Sequence, residues 1–372
     1  MSTRLLVHPN AAERKNAVRR WLLDLGPGAS ALALTASADS GRDLLRAIAR
    51  EQGAVFGLSR ASLPQLARSL ASQAGLAQTP ITAIAFEAVV ARALFTLEPT
   101  GVLAPFGDAR RGPGFPRAAA QALTELRWAE IPPERMGTRR PALAALAVEV
   151  GRELERGNWI DRPGLVRLAA TAAARTETAH PGLDLPLAVL DLPVRFPAER
   201  DLLAALVRRA PAAILAVPTG DAPARRAMEA MAEPTVAPSQ AAGSTALSRL
   251  QHRLFNEDAS EGFDLDDSVT VFSAPGESRE AVEIARMILA RAKEGVPFDR
   301  MAILLRSPSE YIAHLEEALG RAHVPAHIAR GALRPLASGR AFLALLACAG
   351  EGLSARRFAE YLSLGQVPSA DP

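Results

Sequence analysis

The 372-residue chain is 49% hydrophobic and 22% charged, a composition that excludes extensive disorder. Its length accommodates two or three domains of about 150 residues each. No apolar run reaches about 18 residues, so we expect no membrane span and a cytoplasmic location. The formal net charge is +3, and the 43 basic residues comprise two lysines (Lys15 and Lys293) and 41 arginines. This arginine excess fits either a codon bias or a surface that binds phosphate groups.

Cysteine and histidine usage argues against metal chemistry. The single cysteine, Cys348, excludes an intrachain disulfide, a four-cysteine zinc site and an iron–sulfur cluster. His323 and His327 have the spacing of a helical metal site, but Pro325 lies between them and disfavours a continuous helix. We therefore expect no metal site, no cofactor, and a buried, reduced Cys348.

The first 64 residues alternate between short apolar strands and amphipathic helices. We predict strands at 5–7, 31–34 and 55–58, and helices at 13–23, at 41–50 and from 62 onward. An alternation of this kind predicts a parallel sheet flanked by helices.

The strand pattern stops after residue 64 and returns near residue 185. Between them the sequence predicts helices only (83–97, 116–128, 141–156 and 162–174), so we expect an all-helical insertion over 65–184. Strands at 187–190 and 212–217 then continue the first α/β domain, which we assign to 1–64 and 185–256.

A second α/β unit is expected at 269–372, after an acidic linker at 257–268. Its predicted strands are 269–272 and 301–305, and its predicted helices are 278–293, 310–319 and 341–364. The unit contains only the beginning of a domain pattern, so we expect the chain to be the front of a longer protein.

The residues after the first strand can be compared with the phosphate-binding motif G-x-x-x-x-G-K-[ST]. Lys15 occupies the lysine position, but Pro9 and Arg14 replace the two glycines and Asn16 replaces the Ser/Thr. The glycines let backbone amides surround phosphates, and a proline has no amide hydrogen to offer. We interpret the segment as a degenerate phosphate loop in which Lys15 is a relic.

Acidic residues follow the next two strands at positions that suggest further relics. Asp191 ends the strand at 187–190, where an active ATPase carries Asp-Glu, but Leu192 replaces the glutamate that would polarise water. Gly220-Asp221 follows the strand at 212–217, where helicases carry a Gly-Asp-x-x-Gln phosphate sensor, but Ala224 replaces the glutamine. We expect no catalytic residue in this chain.

These motifs, in this order, resemble the N-terminal half of AddB/RexB-type helicase–nuclease subunits. This group belongs to the PD-(D/E)XK nuclease family and is related to UvrD-type helicases with degenerate ATPase motifs. Residues 32–49 are similar to helicase motif Ia, 58–66 to the segment after it, and 190–199 to an altered motif II. Residues 272–285 and 301–306 resemble the start of a second motor domain, with Arg306 as the motif IV arginine that approaches the γ-phosphate in active motors.

The resemblance implies a degenerate motor domain with the parallel sheet of a P-loop NTPase, an all-helical insertion and the start of a second α/β motor domain. It also implies a role in double-strand-break repair, beside an AddA-like helicase–nuclease partner. Single-stranded DNA or a duplex end is the expected ligand, with Thr35, Ser37 and Arg60 facing it. Lys15, Asp191, Asp221 and Arg306 are the expected relics of a nucleotide site.

The nuclease centre of that family is not expected in this chain. It requires an acid-x-Lys triplet with an aspartate upstream, and neither Lys15 nor Lys293 provides one. The leading hypothesis is therefore a non-catalytic, helicase-like scaffold that binds DNA. The alternatives are a protein-interaction scaffold that stabilises a partner motor without touching DNA, and an active ATP-dependent helicase.

Overall fold

The computed structural model describes residues 2–137, 139–235, 245–254, 262, 264–329 and 337–365. The chain divides into two compact units, Met1–Val269 and Thr270–Pro372. The strands are β1 (Ser2–Val7), β2 (Ala31–Thr35), β3 (Leu58–Ala61), β4 (Thr79–Pro80), β5 (Trp159–Ile160), β6 (Leu187–Leu190), β7 (Ala212–Val217) and β8 (Pro234–Thr235). The α-helices of the first unit are α1 (Ala11–Asp24), α2 (Ala38–Gln52), α3 (Leu63–Gln73), α4 (Ala83–Leu97), α5 (Phe115–Trp128), α6 (Pro133–Met136), α7 (Pro141–Arg156), α8 (Arg162–Ala174), α9 (Pro197–Arg209), α10 (Ala222–Glu229) and α11 (Ala246–Arg253).

A six-stranded parallel sheet forms the centre of the first unit, in the order β3-β2-β6-β7-β1-β8. The central strands β2, β6 and β7 are apolar except for Thr35 at the end of β2, as expected for strands that are covered on both faces. Helices α1 and α2 cover one face, and α3, α8, α9 and α10 cover the other. The expectation of an α/β fold with a parallel sheet is confirmed.

The helical insertion is shorter than the predicted span of 65–184. Helices α3 and α8 lie at its two ends, but both pack in the core of the sheet through residues such as Leu70 and Ala169. A separate core, which includes Phe86, Leu123 and Leu146, joins α4, α5 and α7. The insertion is also not entirely helical, because β4 and β5 form a two-stranded parallel pair at its base.

Strand β3 lies three residues later than the predicted strand at 55–58. Val55 and Phe56 of that prediction lie before the strand, next to the turn in which Gly57 adopts φ +78°. A Cβ atom at Gly57 would lie 2.6 Å from the carbonyl oxygen of Ala29, so only glycine fits this close approach. Apolar composition alone could not distinguish this turn from the strand that follows it.

The predicted linker at 257–268 belongs to the first unit where it is described. Residues 255–261 and 263 lie outside the described residues. Asp266 accepts a hydrogen bond from the backbone amide of Ala246 (2.7 Å), and Ser268 accepts one from that of Leu247 (2.9 Å). Both amides are in the first turn of α11, so this part of the segment caps a helix.

The second unit contains the helices α12 (Glu277–Lys293), α13 (Pro308–Arg321), α14 (Ala337–Gly350) and α15 (Ala355–Ser363). Its described residues include no strand, so the strands predicted at 269–272 and 301–305 are wrong. Neither segment has a hydrogen-bonded neighbour strand within the described residues. Ile303 and Leu305 pack against the core of α12 and α13, while Leu304 between them is 94% exposed. Cys348 is buried on α14.

Candidate functional site

Four neighbouring strands of the sheet end at the same edge. The register aligns Leu6 of β1, Ala216 of β7, Leu190 of β6 and Thr35 of β2 in one row. After β2 the chain enters α2 on one face of the sheet, and after β6 it enters α9 on the other face. Connections that diverge in this way open a crevice at the carboxyl ends of the strands, where α/β proteins bind ligands.

The turn between β1 and α1 is too short to surround a phosphate group. Helix α1 begins at Ala11, so only residues 8–10 form the turn. The side chain of Asn10 caps the helix by accepting a hydrogen bond from the amide of Ala12 (2.8 Å). Lys15 therefore lies within the helix instead of closing a loop of free amides. It is half-buried and makes no ion pair with any described residue.

Arg14 occupies the space beside this turn. Its side chain is 5% exposed and donates two hydrogen bonds to Asp191, from Nε to Oδ1 (2.6 Å) and from one terminal nitrogen to Oδ2 (3.1 Å). Its other terminal nitrogen donates to the carbonyl oxygens of His8 (2.6 Å) and Pro9 (2.9 Å). The guanidinium group thus joins the turn after β1 to the residue after β6, and the planar fork of arginine suits this bidentate contact.

Asp191 is held in position by its backbone as well as by its side chain. Its amide donates to the carbonyl oxygen of Ala216 on β7 (2.9 Å), and its φ of +51° turns the chain out of the sheet. Both carboxylate oxygens face Arg14. A magnesium ion at Asp191 would have to share this carboxylate with the guanidinium group of Arg14.

Asp221 has a local structural role. It is the N-cap of α10, and its Oδ1 atom accepts a hydrogen bond from the amide of Ala224 (3.1 Å). The predicted relic at this position therefore ends the turn after β7 and starts a helix.

The structure brings together the three residues predicted to face DNA, Thr35, Ser37 and Arg60. Thr35 is buried and donates its hydroxyl hydrogen to the carbonyl oxygen of Ser37 (2.7 Å). Ser37 is the N-cap of α2, accepting from the amide of Ser40 (3.1 Å). Arg60 is exposed and donates one hydrogen bond of 3.3 Å to the carbonyl oxygen of Ala38.

Close packing around Gly41 holds this cluster together. A Cβ atom at Gly41 would lie 3.0 Å from Oγ1 of Thr35 and 3.3 Å from Cδ of Arg60. Since α2 lies this near to β2 and β3, the stem of Arg60 is fixed against the helix. Arg60 makes no ion pair with a described residue, so its charge is available to a ligand.

Arg306 lies in the second unit and is described within that unit only. It is exposed in the turn before α13 and makes no ion pair with a described residue. The strand that was predicted to end at this arginine does not form.

Two arginines of the first unit were missed by the sequence analysis. Arg14 was compared with a motif glycine, and its role as a partner of Asp191 was not foreseen. The signal was Asn10, whose capping preference directly after β1 indicates a helix that begins before the motif lysine. Arg195 lies in the loop after β6, is exposed, and makes no ion pair within the described part of the chain.

The described residues contain no group of three or more His, Cys, Asp or Glu side chains that could hold a metal ion. Among the described helices, none combines the length and apolarity needed to cross a membrane. Neither a protein-family model nor a curated protein matches the chain.

Proposed function

We propose that the chain is a non-catalytic, helicase-like scaffold that binds DNA at the carboxyl edge of its sheet, within an AddB-like double-strand-break repair complex. The parallel sheet supports a motor-derived domain, as do the positions of Lys15 on the helix after β1, Asp191 directly after β6 and Asp221 in the turn after β7. The expected macromolecular partner is an AddA-like helicase–nuclease.

The contact between Arg14 and Asp191 is the observation that carries the non-catalytic part of the proposal. In a motor that hydrolyses ATP, this region holds a phosphate loop and an aspartate that binds magnesium. Here a guanidinium group of the chain itself binds that aspartate. Because the two charges compensate each other and Arg14 is buried, this pair offers no uncompensated charge to a nucleotide or its magnesium ion.

Arg60 carries the DNA-binding part of the proposal. The hydroxyl groups of Thr35 and Ser37 make hydrogen bonds within the β2–α2 turn and stabilise it. Arg60 is therefore the charged residue of this cluster that can contact DNA. Arg195 supplies a second exposed guanidinium in the loop after β6, which neighbours β2 in the sheet. An exposed arginine on a rigid stem is suited to a phosphate oxygen of the DNA backbone.

Fluorescence anisotropy with labelled single-stranded and forked DNA over a range of salt concentrations tests this proposal. We expect binding that weakens with salt, and Arg60→Ala should lower the slope of log affinity against log salt by about 0.7 on single strands, the value of one lost phosphate contact. Arg46→Ala is the matched control, since Arg46 is also exposed and lies on α2, 4.0 Å from Asp43. No binding at about 50 mM salt would contradict the DNA-binding part.

A scaffold that contacts only proteins is the second candidate function. The observation that favours it is the helical insertion, which has its own core and is therefore a separate surface for a partner. Co-purification with the partner motor, combined with no change in DNA anisotropy, would favour this candidate over DNA binding.

A further inference from the structure

Helix α4 has apolar side chains on two opposite sides, although one of these sides faces solvent. Among its 15 residues only Glu87 and Arg92 are charged. One side packs into the core of the insertion through residues including Phe86, Val90 and Leu94. A helix with apolar side chains on two opposite sides is normally covered on both.

The uncovered side of α4 is a regular stripe, which we call the α4 stripe. It consists of Ile84, Ala88, Ala91 and Phe95. Ile84 is 81% exposed and Phe95 is 82% exposed, and Ala88 and Ala91 lie between them. The spacing of four, three and four residues is that of the a and d positions of a coiled coil, and at 100° per residue the four side chains fall within a 60° arc.

The two charged residues of α4 flank this stripe on opposite sides. With Ala88 and Phe95 at a positions, Glu87 is a g residue and Arg92 is the e residue five positions later. In a parallel pair of helices a g residue of one chain meets this e residue of the other. Glu87 of one copy would therefore face Arg92 of a second copy, twice in the symmetric pair. An antiparallel pair would instead place like charges on each flank.

The intramolecular contacts of Arg92 leave it able to make this bond. Its Nε lies 3.1 Å from Oε2 of Glu153, a carboxylate on α7 that is 1% exposed, while the Arg92 side chain is 60% exposed. Glu153 thus holds the stem in place, and the terminal nitrogens have no partner among the described residues. Glu87 makes no ion pair with any of these residues either.

We propose that the chain forms a parallel homodimer through the α4 stripe. Charge complementarity selects a second copy in parallel orientation as the occupant, and the small side chains of Ala88 and Ala91 allow the two helices to approach closely. The contact spans only two heptads, below the size of a standard interface, so we expect a reversible dimer that forms at chain concentrations on the order of tens of micromolar. Dimerisation through α4 does not depend on DNA binding.

Sedimentation equilibrium of the full chain over a concentration series tests the contact. We expect a monomer–dimer equilibrium, and Phe95→Asp should raise its dissociation constant at least about tenfold, because it replaces the largest apolar side chain of the contact with a charge. Phe56→Asp is the matched control, since Phe56 is 77% exposed elsewhere in the same unit. A chain that is monomeric throughout, or a dimer unaffected by Phe95→Asp, would overturn the proposal.

Reversal of the charge at each position tests the proposed pairing of Glu87 with Arg92 of the second copy. Glu87→Arg and Arg92→Glu should each weaken self-association, because each places like charges at both flanks. An equimolar mixture of the two variants should associate again, since every flanking pair is then of opposite sign. Circular dichroism melts check that Arg92→Glu folds without its bond to Glu153, and if it does not, Glu87→Arg alone must still weaken the dimer. Unchanged self-association of Glu87→Arg would contradict the pairing.

Disulfide cross-linking of the Ile84→Cys variant tests whether the two α4 helices are parallel. In the parallel dimer the two copies of residue 84 are opposite each other, within the Cα separation of roughly 7 Å that a disulfide spans. In an antiparallel dimer residue 84 would face residue 95, which leaves the two copies of residue 84 about 16 Å apart along the axis. We expect rapid oxidative cross-linking of Ile84→Cys and none of the wild-type chain, whose Cys348 is buried. Absence of cross-linking under conditions where the dimer forms would overturn the parallel arrangement.

Discussion

The β1–α1 and β2–α2 turns have a similar arrangement but differ in the exposure and pairing of the arginine that lies beside each of them. Each turn leaves the carboxyl end of a parallel strand and starts a helix with a side-chain cap, from Asn10 in the first and Ser37 in the second. Beside the first turn, Arg14 of α1 is buried and bound to Asp191. At the second, Arg60 is exposed with a single long hydrogen bond.

The comparison indicates that an arginine at the edge of a sheet can bind a ligand only if no carboxylate of the chain compensates the charge of the arginine. A buried guanidinium group must be paired with a carboxylate, because its desolvation is otherwise too costly, and Asp191 meets that need. Arg60 keeps its hydration and can exchange it for a phosphate oxygen. The turn whose sequence is most similar to a nucleotide site is therefore the one that is closed.

The largest expected effect comes from breaking the buried pair. Asp191→Ala leaves the guanidinium group of Arg14 with only the carbonyl oxygens of His8 and Pro9 as partners. Removal of one partner of a buried pair costs about 3–5 kcal/mol, and because the Asp191 side chain is 31% exposed we expect about 3 kcal/mol. Urea unfolding followed by circular dichroism measures the loss.

Two controls distinguish the loss of the ion pair from the loss of a carboxylate alone. Asp221→Ala removes a carboxylate that serves only as a cap, so it should cost about 1 kcal/mol. Arg14→Met combined with Asp191→Ala should be clearly less destabilising than the sum of the two single variants, because residues in direct contact are coupled. Additive losses would mean that the ion pair does not hold the turn.

The sheet could be predicted from the sequence because its central strands β2, β6 and β7 are almost entirely apolar and alternate with helices. The strands at 187–190 and 212–217 were predicted with the bounds that the structure has. The second unit was predicted less well, because the apolar run around Leu304 does not show whether the segment pairs with a neighbour strand or packs on helices. For the candidate site, the sequence placed Asp191 correctly at a strand end. It could not show that Arg14, 177 positions away, binds it.

The two caps provide the next comparison. Asn10→Ala and Ser37→Ala each remove one side-chain acceptor from the first turn of a helix, so each should cost about 1 kcal/mol in the free energy of unfolding. Urea unfolding measures both. If Asn10→Ala costs much more than Ser37→Ala, the cap and the Arg14 contacts act as one unit. In that case the cap substitution should lose its excess cost in the Asp191→Ala background.

The smallest expected effect is that of Lys15→Ala. Lys15 is half-buried on α1 and makes no ion pair with a described residue, and alanine is the better helix former, so the free energy of unfolding should change by less than about 0.5 kcal/mol. The substitution should also leave the interaction with Mg²⁺-ATP unchanged, as measured by titration calorimetry. In a functional phosphate loop the same change removes the cation that reaches the β- and γ-phosphates. Measurable binding of Mg²⁺-ATP to the wild-type chain that is lost in Lys15→Ala would show that the Arg14–Asp191 pair opens in solution, and the first turn would then be a ligand site after all.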